Sequence, residues 1–505
     1  MSPTPVPPGA PTPPIEIAGG GAAAGGRLTA PLVLLDDDFL AELAVACADV
    51  RLDPGELAES SRDWWPLAMI WATGGTVGQV AGALARPTSV EEVCAVLALC
   101  NDRRIPVTPA GGRSSVVGGT VPVHGGVLLD LTAMSGIGEV DATSLVVEVA
   151  AGTFGDAFEE VLRAEHGLTV GHWPQSMALS TVGGWLACRG AGQLSNRYGK
   201  IEDIVVGLEV VLADGRVVRT GGQPRQAVGS DLNQLFVGSE GTLGVVTRAW
   251  LQAWPVPAHT ARGAWAFPSF SAALDAMRRT VQRGARTAVL RLYDGIEAAR
   301  NFDLDPSVHL LLAYDEGDPL VVESEMAVLA EECAAAERLD DALVERWFGH
   351  RNDVAALEAL IGKGFVVDTM EISAPWSALD AIYEATTAAI AAVEGTASVS
   401  AHQSHSYPGG ACLYFTFGAA VDPDRREQYY VDAWDAGSRA VLANGGSLSH
   451  HHGVGLNRAR FVADALGDGL DVLRTVKSGL DPRGILNPGK LGLPDPFGDV
   501  AWPAP

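Results

Sequence analysis

The stretch that decides the fold begins at Gly171-His172-Trp173-Pro174-Gln175-Ser176, continues at Ser180-Thr181-Val182-Gly183-Gly184-Trp185 and ends at Gly238-Ser239-Glu240-Gly241-Thr242-Leu243-Gly244. Small residues and hydroxyl groups dominate these loops. Backbone N–H groups can therefore approach a bound phosphate closely, with no side chain in the way. The pattern predicts a site for the pyrophosphate of a cofactor.

A further loop of this kind lies upstream, at Pro109-Ala110-Gly111-Gly112-Arg113-Ser114-Ser115, directly after the apolar run 105–108 that predicts a buried strand. The glycines and the proline in 116–122 oppose a helix, so this loop is not the helix-opening turn of a Rossmann fold. A single glycine cluster is more often a plain turn. Three clusters separated by strand and helix patterns favour one shared cofactor site.

Length and charge limit the class of protein. The 505 residues suffice for two large domains or about three average ones. The 35 basic and 61 acidic residues give a formal charge of −26, which argues against nucleic acid or an anionic membrane surface as the main partner. We expect a small-molecule substrate instead. Basic residues that could meet an anionic ligand, or could be ordinary surface charge, are Arg189, Arg197, Lys200 and Arg225.

The six cysteines have no C-x-x-C spacing, which is typical of reduced thiols in a cytoplasmic protein and not of a disulfide framework or a zinc site. Residues 1–26 are rich in Pro, Gly and Ala and lack a basic start, so they predict a disordered tail and not a signal peptide. No run of about 18 apolar residues occurs, so no membrane-spanning segment is expected.

The hydrophobic period alternates between helix and strand in a manner typical of an α+β fold. A capping box at Thr88-Ser89-Val90-Glu91 predicts a helix over 90–101, and Asp214-Gly215 predicts a type I′ turn between strands 205–212 and 217–220. Further helices are predicted at 269–282, 323–337 and 378–393. The expected units are a disordered tail (1–30), a cofactor domain (31–258), a substrate or cap domain (259–475) and a C-terminal segment (476–505) returning to the cofactor domain.

Several segments carry a resemblance to known flavoenzymes across about residues 80 to 490. They are 180–185, 198–203, 238–247, 289–292, 373–376, 406–412 and 444–455. The first half resembles the FAD-binding domain of the vanillyl-alcohol oxidase/para-cresol methylhydroxylase (PCMH) superfamily. The second half resembles the alkyldihydroxyacetonephosphate synthase family, most specifically through His450-His451-His452 with Tyr407 upstream. The resemblance implies a PCMH-type FAD domain followed by an α+β substrate domain.

Histidine titrates near neutrality, and a phenol close to a flavin and to cationic groups can exchange protons with a substrate. The resemblance accordingly implies that Tyr407 transfers a proton, that the three histidines are essential to the same site, and that Arg291 supports charge near the flavin or the substrate. The alternatives are structural. Tyr407 could be a buried residue with a satisfied hydroxyl, and Arg291 could simply pair with Asp294.

The resemblance also implies the residues that hold FAD. They are Pro109, Ala110, Gly111, Gly112, Arg113, Ser114, Ser115, Pro174, Gln175, Ser176, Ser180, Thr181, Gly184, Arg189, Glu240, Gly241, Gly244, Val245 and Val246. Members of the superfamily that tether FAD through the first loop carry a His where this chain has Arg113. The prediction is therefore non-covalent FAD, with His172 and His124 as the alternative tethers.

No metal is predicted. Neighbouring side chains on an extended segment alternate in direction, so the three consecutive histidines do not easily converge on one ion. Relatives that act on D-2-hydroxy acids carry a Glu directly before His-Gly and a His beyond their glycine-rich turn. This chain has His451 where those relatives have the Glu, and Tyr414 and Phe415 where they have the His.

Three functions stay open at this point. The resemblance favours exchange of an acyl for an alkoxy group on a small substrate, through an adduct at the flavin N5 atom and without net redox change; it also implies a homodimer. The alternative is an FAD-linked oxidase or dehydrogenase that removes a hydride from a hydroxylated or carboxylated small molecule. Leu357 favours this alternative, because the synthases carry a phosphate-binding arginine there, and so does the segment 481–490. The third function is flavin binding without catalysis.

Overall fold

Three β-sheets of four or more strands organise residues 15–353 and 355–503, which are the residues described by the computed structural model. In spatial order, the mainly parallel four-stranded sheet contains Val50–Arg51, Ala83–Ala85, Val127–Asp130 and Val107–Ala110. The antiparallel five-stranded sheet contains Val217–Gly221, Val205–Val211, Val245–Gln252, Val146–Ala150 and Ile137–Asp141. The antiparallel seven-stranded sheet contains Glu337–Leu339, His259–Phe267, His309–Gly317, Val289–Tyr293, Thr396–Tyr407, Gly410–Ala419 and Val366–Pro375. Two further strand pairs join Gly25–Gly26 to Thr76–Val77 and Leu168–Thr169 to Trp254–Pro255.

Helices cover these sheets, which makes the fold α+β as the sequence predicts. The α-helices span Asp37–Ala46, Pro54–Ser60, Pro66–Thr73, Val90–Arg103, Gly155–His166, Val182–Cys188, Ser195–Tyr198, Ile201–Ile204, Asn233–Phe236, Phe270–Gln282, Gly295–Phe302, Pro319–Glu332, Ala342–His350, Ala355–Gly362, Trp376–Ala391, Arg426–Ala443, Val462–Leu466 and Gly469–Leu480. Short 3-10 turns span Gly21–Ala23, Leu131–Ala133, Pro423–Arg425 and Ala459–Phe461. In the described part of the chain, no helix combines the length and the apolar character needed to cross a membrane.

A β-bulge in the seven-stranded sheet determines which side chains share a face. The strand Thr396–Tyr407 pairs His402 with Tyr414 and, after a register shift between Gln403 and His405, pairs His405 with Cys412. Residues 412 and 414 lie on one face, since side chains alternate along a strand. The extra residue of the bulge therefore brings His402 and His405 to that same face, although they are three positions apart. This face carries most of the site described below.

The N-terminal region corrects one prediction. Ile15, Ile17 and Leu28 are buried, and Gly25–Gly26 pairs with Thr76–Val77, so residues 15–30 are not a disordered tail. Composition misleads here because tertiary contacts, and not local preference, order this segment. The first fourteen residues lie outside the described part of the chain.

The first part of the chain also packs on the second half. Trp65 Nε1 donates to Tyr430 Oη at 2.8 Å, and Trp71 Nε1 donates to Glu427 at 3.0 Å. Both tryptophans lie in one apolar core with the seven-stranded sheet. The expected boundary at 475/476 falls inside the continuous helix Gly469–Leu480. The limits of the other units stay predictions.

Three local predictions are displaced. The N-terminal cap of Val90–Arg103 is Ser89, whose hydroxyl accepts from Glu92 N–H, so the box lies one residue later than predicted. In the turn of the 205–221 hairpin Gly215 has a positive φ (81°) and Asp214 does not, so the turn is not type I′ but carries a glycine bulge. The predicted helix 323–337 instead spans Pro319–Glu332, and Glu337 begins an edge strand of the seven-stranded sheet.

Candidate active site

The three glycine-rich loops meet at one place. A Cβ atom on Gly111 would overlap Thr181 Oγ1, and one on Gly112 would overlap the carbonyl oxygen of Leu179. A Cβ on Gly241 would lie 3.1 Å from the ring of Pro109. The glycines are thus required by loop-to-loop contact, and the first loop lies against both of the others.

The segments 109–115 and 171–176 also carry buried polar atoms without a hydrogen-bond partner among the described residues. They are Arg113 Nε and Nη1, both ring nitrogens of His172 and Trp173 Nε1, and Arg113 Nη1 lies 3.5 Å from Asp130. Buried donors of this kind are costly unless something bonds to them. A cofactor rich in phosphate, hydroxyl and ring acceptors fits such a set of donors.

The second loop, 174–184, is held by its own hydrogen bonds. Ser180 Oγ accepts from Trp185 Nε1 at 2.7 Å and donates to the carbonyl of Ser176, while Thr181 Oγ1 accepts from Gly184 N–H at the start of Val182–Cys188. Gln175 is exposed and donates to the carbonyl of Asp353. Of these predicted cofactor residues, Ser180 and Thr181 are buried at the junction, whereas the side chain of Gln175 points to the other half of the chain.

The third loop is tied to the histidine segment through Glu240. Its carboxylate accepts from Val454 N–H at 2.6 Å and from Gly455 N–H at 2.8 Å. Burial raises the Glu240 pKa, and these two hydrogen bonds oppose that effect. The Glu240 side chain therefore joins the predicted cofactor loop to the predicted catalytic segment, and does not itself point at a cofactor.

The remaining predicted cofactor residues of this region contribute little through their side chains. Val245 and Val246 are buried in two separate apolar cores, and a Cβ on Gly244 would contact Val210. Arg189 Nη2 donates to Gln234 at 2.8 Å. The side chains of the two valines therefore face the protein core, and only their main-chain atoms are left to contact a cofactor.

Tyr407 and the first two histidines form a bonded group. Tyr407 Oη lies 2.7 Å from His450 Nε2, and His450 Nδ1 lies 2.8 Å from His451 Nδ1. His451 Nε2 lies 2.5 Å from Tyr414 Oη. Burial lowers the pKa of both histidines well below the usual value, and His405, His452 and Lys200 lower it further. Both imidazoles are therefore neutral near pH 7.

Glu371 fixes the backbone of the histidine segment. Its carboxylate accepts from the N–H groups of the three successive residues His450, His451 and His452. Arg458 Nη1 donates to Glu371 Oε1 at 2.9 Å, and Ser449 Oγ donates to the same oxygen. Burial opposes ionisation of Glu371, but Arg458, His452 and the backbone donors outweigh it and hold its pKa below the usual value. A charged carboxylate thus orients the whole segment.

The three histidines do not converge on one point, since His452 turns to Glu371 at 3.5 Å. A residue that the sequence did not reveal, His405, stacks on His450 at 4.9 Å and donates or accepts a bond with Ser195 Oγ at 2.9 Å. Nitrogens of His405, His450 and His451 lie within 4.8 Å of one another, a spacing that an ion could use. Hydrogen bonds already engage all four ring nitrogens of His450 and His451, so the absence of a metal stays a prediction.

Arg291 approaches this group through a further histidine, His402. Arg291 Nη2 donates to His402 Nε2 at 2.7 Å, and His402 Nδ1 therefore donates to Glu297 at 2.8 Å. The His402 ring stacks on Tyr414 at 4.7 Å. Within the described residues no carboxylate forms an ion pair with Arg291, and its Nε has no partner. The alternative that Arg291 pairs with Asp294 is wrong, since Asp294 instead caps Gly295–Phe302.

A cavity of about 900 Å³ opens beside Tyr407. Its polar wall contains Lys200, Glu202, Asp203, Tyr407 and His450, and Lys200 Nζ donates to the His450 carbonyl at 2.7 Å. Its apolar wall contains Leu442, Leu448, Val454, Val462, Leu466, Leu473 and Leu491. The cavity can thus take a molecule with a polar reacting end and an apolar remainder.

The predicted cation set does not form an anion site. Arg197 pairs with Asp315 and Glu325, Lys200 pairs with Glu202, and Arg225 is exposed. Leu357 packs against the main apolar core and offers no charge.

His124, one of the alternative tethers, has both ring nitrogens bound, to the carbonyl of Pro31 and to Asp495. It is a structural contact. His172 keeps both nitrogens free, and burial lowers its pKa to about 3.

Family comparisons agree with this geometry. Residues 256–491 match the model "FAD linked oxidases, C-terminal domain", and residues 81–221 match "FAD binding domain". The FAD-linked oxidoreductase YgcU of Escherichia coli K12 is 31% identical over 432 residues, which cover 82% of this chain and 89% of YgcU. The chain belongs to the FAD-linked oxidases. It is a flavoenzyme, and FAD is its cofactor.

Relatives of this FAD-linked oxidase include the alkyldihydroxyacetonephosphate synthase of Dictyostelium discoideum, 29% identical over 457 residues that cover 82% of this chain and 74% of the synthase. A solved alkyldihydroxyacetonephosphate synthase superposes with a TM-score of 0.77 at 24% identity, covering 94% of this chain and 90% of that one. Solved p-cresol methylhydroxylase gives 0.74 at 16% identity, covering 93% and 100%. The predicted superfamily and the two-domain PCMH-type fold are confirmed.

The residues of this FAD-linked oxidase that would hold FAD are those at the junction of the three loops, chiefly Gly111, Gly112, Arg113, Ser180 and Thr181. Sequence reasoning missed Glu371, Tyr414, His405 and Arg458 as members of the adjoining site. A weak signal existed for Glu371, which stands two residues before the quoted segment 373–376. His405 likewise stands one residue before the segment 406–412, whereas Tyr414 enters the site by strand pairing and Arg458 by its hydrogen bond to Glu371.

Proposed function

We propose that this enzyme exchanges an acyl for an alkoxy group on a small substrate, as alkyldihydroxyacetonephosphate synthases do. The bond between Tyr407 Oη and His450 Nε2, placed on the polar wall of a cavity that also has an apolar wall, carries the proposal. The apolar wall suits an acyl or alkyl chain, and the phenol stands where the polar end of such a molecule would lie. Sequence similarity to a synthase over 457 residues supports the same reaction class.

In this proposal each side chain has a separate task. Tyr407 donates or accepts the proton that the substrate gains or loses, and His450 holds its hydroxyl in place. Arg291 binds His402 and is not among the residues that line the cavity, so we propose that it supports charge near the flavin, with no carboxylate among the described residues paired to it. Glu371 keeps the backbone of His450–His452 in position. FAD, when bound, would supply the electron-poor ring that this chemistry needs, and we propose that it is held without a covalent bond.

A second function is favoured by one residue. Leu357 packs against the main apolar core, so the phosphate-binding arginine expected in a synthase is absent from that position. The alternative is an oxidase or dehydrogenase in which Tyr407 and the histidines remove a hydroxyl proton while FAD accepts a hydride. The similarity to the oxidoreductase YgcU supports this alternative. A cytoplasmic location and a homodimer remain proposals drawn from composition and family.

The visible spectrum of the purified enzyme separates the two reactions. Under anaerobic conditions, acyl-dihydroxyacetonephosphate and a fatty alcohol should yield the ether product while the flavin stays oxidised. Bleaching by an alcohol or a hydroxy acid, reversed by air, would instead establish the oxidase or dehydrogenase.

Replacement of Tyr407 by Phe tests its role. The variant should retain FAD and lose turnover by about 10²- to 10⁴-fold, the usual contribution of general acid–base catalysis. Tyr383→Phe is the matched control, because Tyr383 is a part-buried phenol that stacks on Phe270, outside the site. A fully active Tyr407→Phe enzyme would remove Tyr407 from the mechanism.

A further inference from the structure

Four side chains form one continuous line of hydrogen bonds. The line runs from Tyr407 Oη to His450 Nε2 (2.7 Å), from His450 Nδ1 to His451 Nδ1 (2.8 Å) and from His451 Nε2 to Tyr414 Oη (2.5 Å). Every ring nitrogen of the two histidines takes part. Tyr407 lines the cavity, whereas Tyr414 is not among the residues that line it. The line therefore leads away from the substrate space into the sheet.

The number of protons in this line is fixed by its chemistry. Each neutral imidazole carries one N–H and each phenol carries one O–H, so four protons serve three hydrogen bonds. One proton must then point outward at one end. Either Tyr407 presents its O–H to the cavity while all three bonds are donated from the Tyr414 side, or Tyr414 holds the outward proton and Tyr407 presents a lone pair. The line thus has two states that differ in what Tyr407 offers to a substrate.

The charges at the two ends differ. Carboxylates of Glu202 and Asp203 line the cavity beside Tyr407. Tyr414 instead stacks on His402, which Arg291 binds, and it pairs across the sheet with Glu371, whose partner is Arg458. A negative charge that develops in the line therefore meets carboxylates at the Tyr407 end and two guanidinium groups, besides Glu371, at the Tyr414 end.

Burial raises the pKa of both phenols above the usual value. Beyond burial and Cys412, Glu202 and Asp203 raise the Tyr407 pKa further. At Tyr414, Cys412 and Glu371 raise the pKa, while Arg291 and Arg458 act in the opposite direction.

We propose that Tyr414 is the distal end of a proton relay that acts on Tyr407 through His451 and His450. When Tyr407 gives its proton to the substrate, the Nε2 proton of His450 passes to Tyr407 Oη. The Nδ1 proton of His451 passes to His450 Nδ1, and the proton of Tyr414 passes to His451 Nε2. Each group loses one proton and gains one, except Tyr414, which is left as a phenolate. The reverse sequence lets Tyr407 take a proton.

This inference rests on the proposed function, because it assigns a source of protons to the Tyr407 step. Tyr414 never touches the substrate and is a positioning residue. Its loss should slow the proton step without changing how substrate or FAD binds.

The kinetic test compares Tyr414→Phe, Tyr407→Phe and the double variant, with acyl-dihydroxyacetonephosphate and a fatty alcohol as substrates. Tyr414→Phe should lower kcat at least tenfold, with KM and the flavin spectrum unchanged, and Tyr383→Phe should change neither. The double variant should be no slower than Tyr407→Phe alone, since the relay acts only through Tyr407. Wild-type kcat in Tyr414→Phe, or single effects that multiply in the double variant, would overturn the relay.

A second test needs no substrate, so it separates failure of the relay from failure of the proposed function. A fluorinated, more acidic tyrosine is placed at position 414 in one holoenzyme and at position 407 in another, and the histidine ring nitrogens are followed by ¹⁵N NMR. The stronger acid should donate at its own end. His450 and His451 should then hold opposite tautomers in each protein, and both tautomers should be reversed between the two proteins. A tautomer that stays the same in both proteins would overturn the relay.

Discussion

The substitution Glu371→Gln tests how strongly one carboxylate holds the backbone of the histidine segment in place. An amide has one acceptor oxygen, so the variant must turn an NH₂ group toward some of the donors that Glu371 now binds. The least costly orientation places the amine against His450 N–H and His451 N–H and keeps the oxygen toward His452 N–H and Arg458. Each hydrogen bond to a charged acceptor is worth about 1.5–3 kcal/mol, so the two lost bonds cost roughly 3–6 kcal/mol.

Hydrogen–deuterium exchange of the segment 449–453 measures this cost directly, since amide exchange reports local opening. A loss of roughly 3–6 kcal/mol corresponds to exchange about 10²- to 10⁴-fold faster. Glu159→Gln is the matched control: Glu159 is equally buried and accepts from Val170 N–H, but it lies in the FAD-binding half. Exchange within threefold of the wild type in Glu371→Gln would refute the assignment of Glu371 as the anchor.

The same anchor has a pH dependence. The pKa of Glu371 is below its usual value, so its stabilisation is present above the pKa of an unfolded Glu and is lost as the pH falls through the folded value. The protection factor of 449–453, which is the intrinsic exchange rate divided by the observed rate at each pH, should therefore fall in the wild type below about pH 4.

Other predictions concern the cofactor and the substrate. Gly112→Ala should weaken FAD binding about ten- to a hundredfold, because overpacking costs about 1–3 kcal/mol. The flavin retained on dialysis measures this loss. Gly479 has open space around it, so the control variant Gly479→Ala should bind FAD normally. Acid precipitation should release all flavin to the supernatant, and flavin in the pellet would contradict non-covalent binding. Arg291→Met should lower kcat at least about tenfold with KM unchanged, because Arg291 binds His402 and does not line the cavity. Partial recovery is expected in Arg291→Lys, and a raised KM with unchanged kcat would contradict this placement.

The meeting of the glycine-rich loops was predictable because its signal is local. Gly111, Gly112 and Gly241 are glycines for a steric reason, close contact between loops, and such a reason appears in the sequence as composition. Tyr407 and the histidine segment were identified by family resemblance, and the structure brings Tyr407, His450 and His451 into one bonded group.

The rest of the site depends on sheet geometry. His402 and His405 share a face only because of the bulge between Gln403 and His405, and a bulge is not visible in a pattern of alternation. Glu371 pairs across the sheet with Tyr414, 43 positions later in the chain, through a register that no local propensity sets. The hairpin turn near Gly215 and the extent of Pro319–Glu332 were misjudged for a related reason, since competing local forms are close in energy and packing decides between them.

The packing of Trp65 and Trp71 on the helix Arg426–Ala443 has a practical consequence for recombination of these enzymes. The match to the FAD-binding family begins only at residue 81, so a hybrid designed on family boundaries would take residues 15–77 from the same parent as the flavin loops. In that hybrid, Trp65 and Trp71 of one parent would pack against the helix 426–443 of the other parent. A hybrid designed to exchange substrate specificity should therefore take residues 15–77 and the second half of the chain from the same parent.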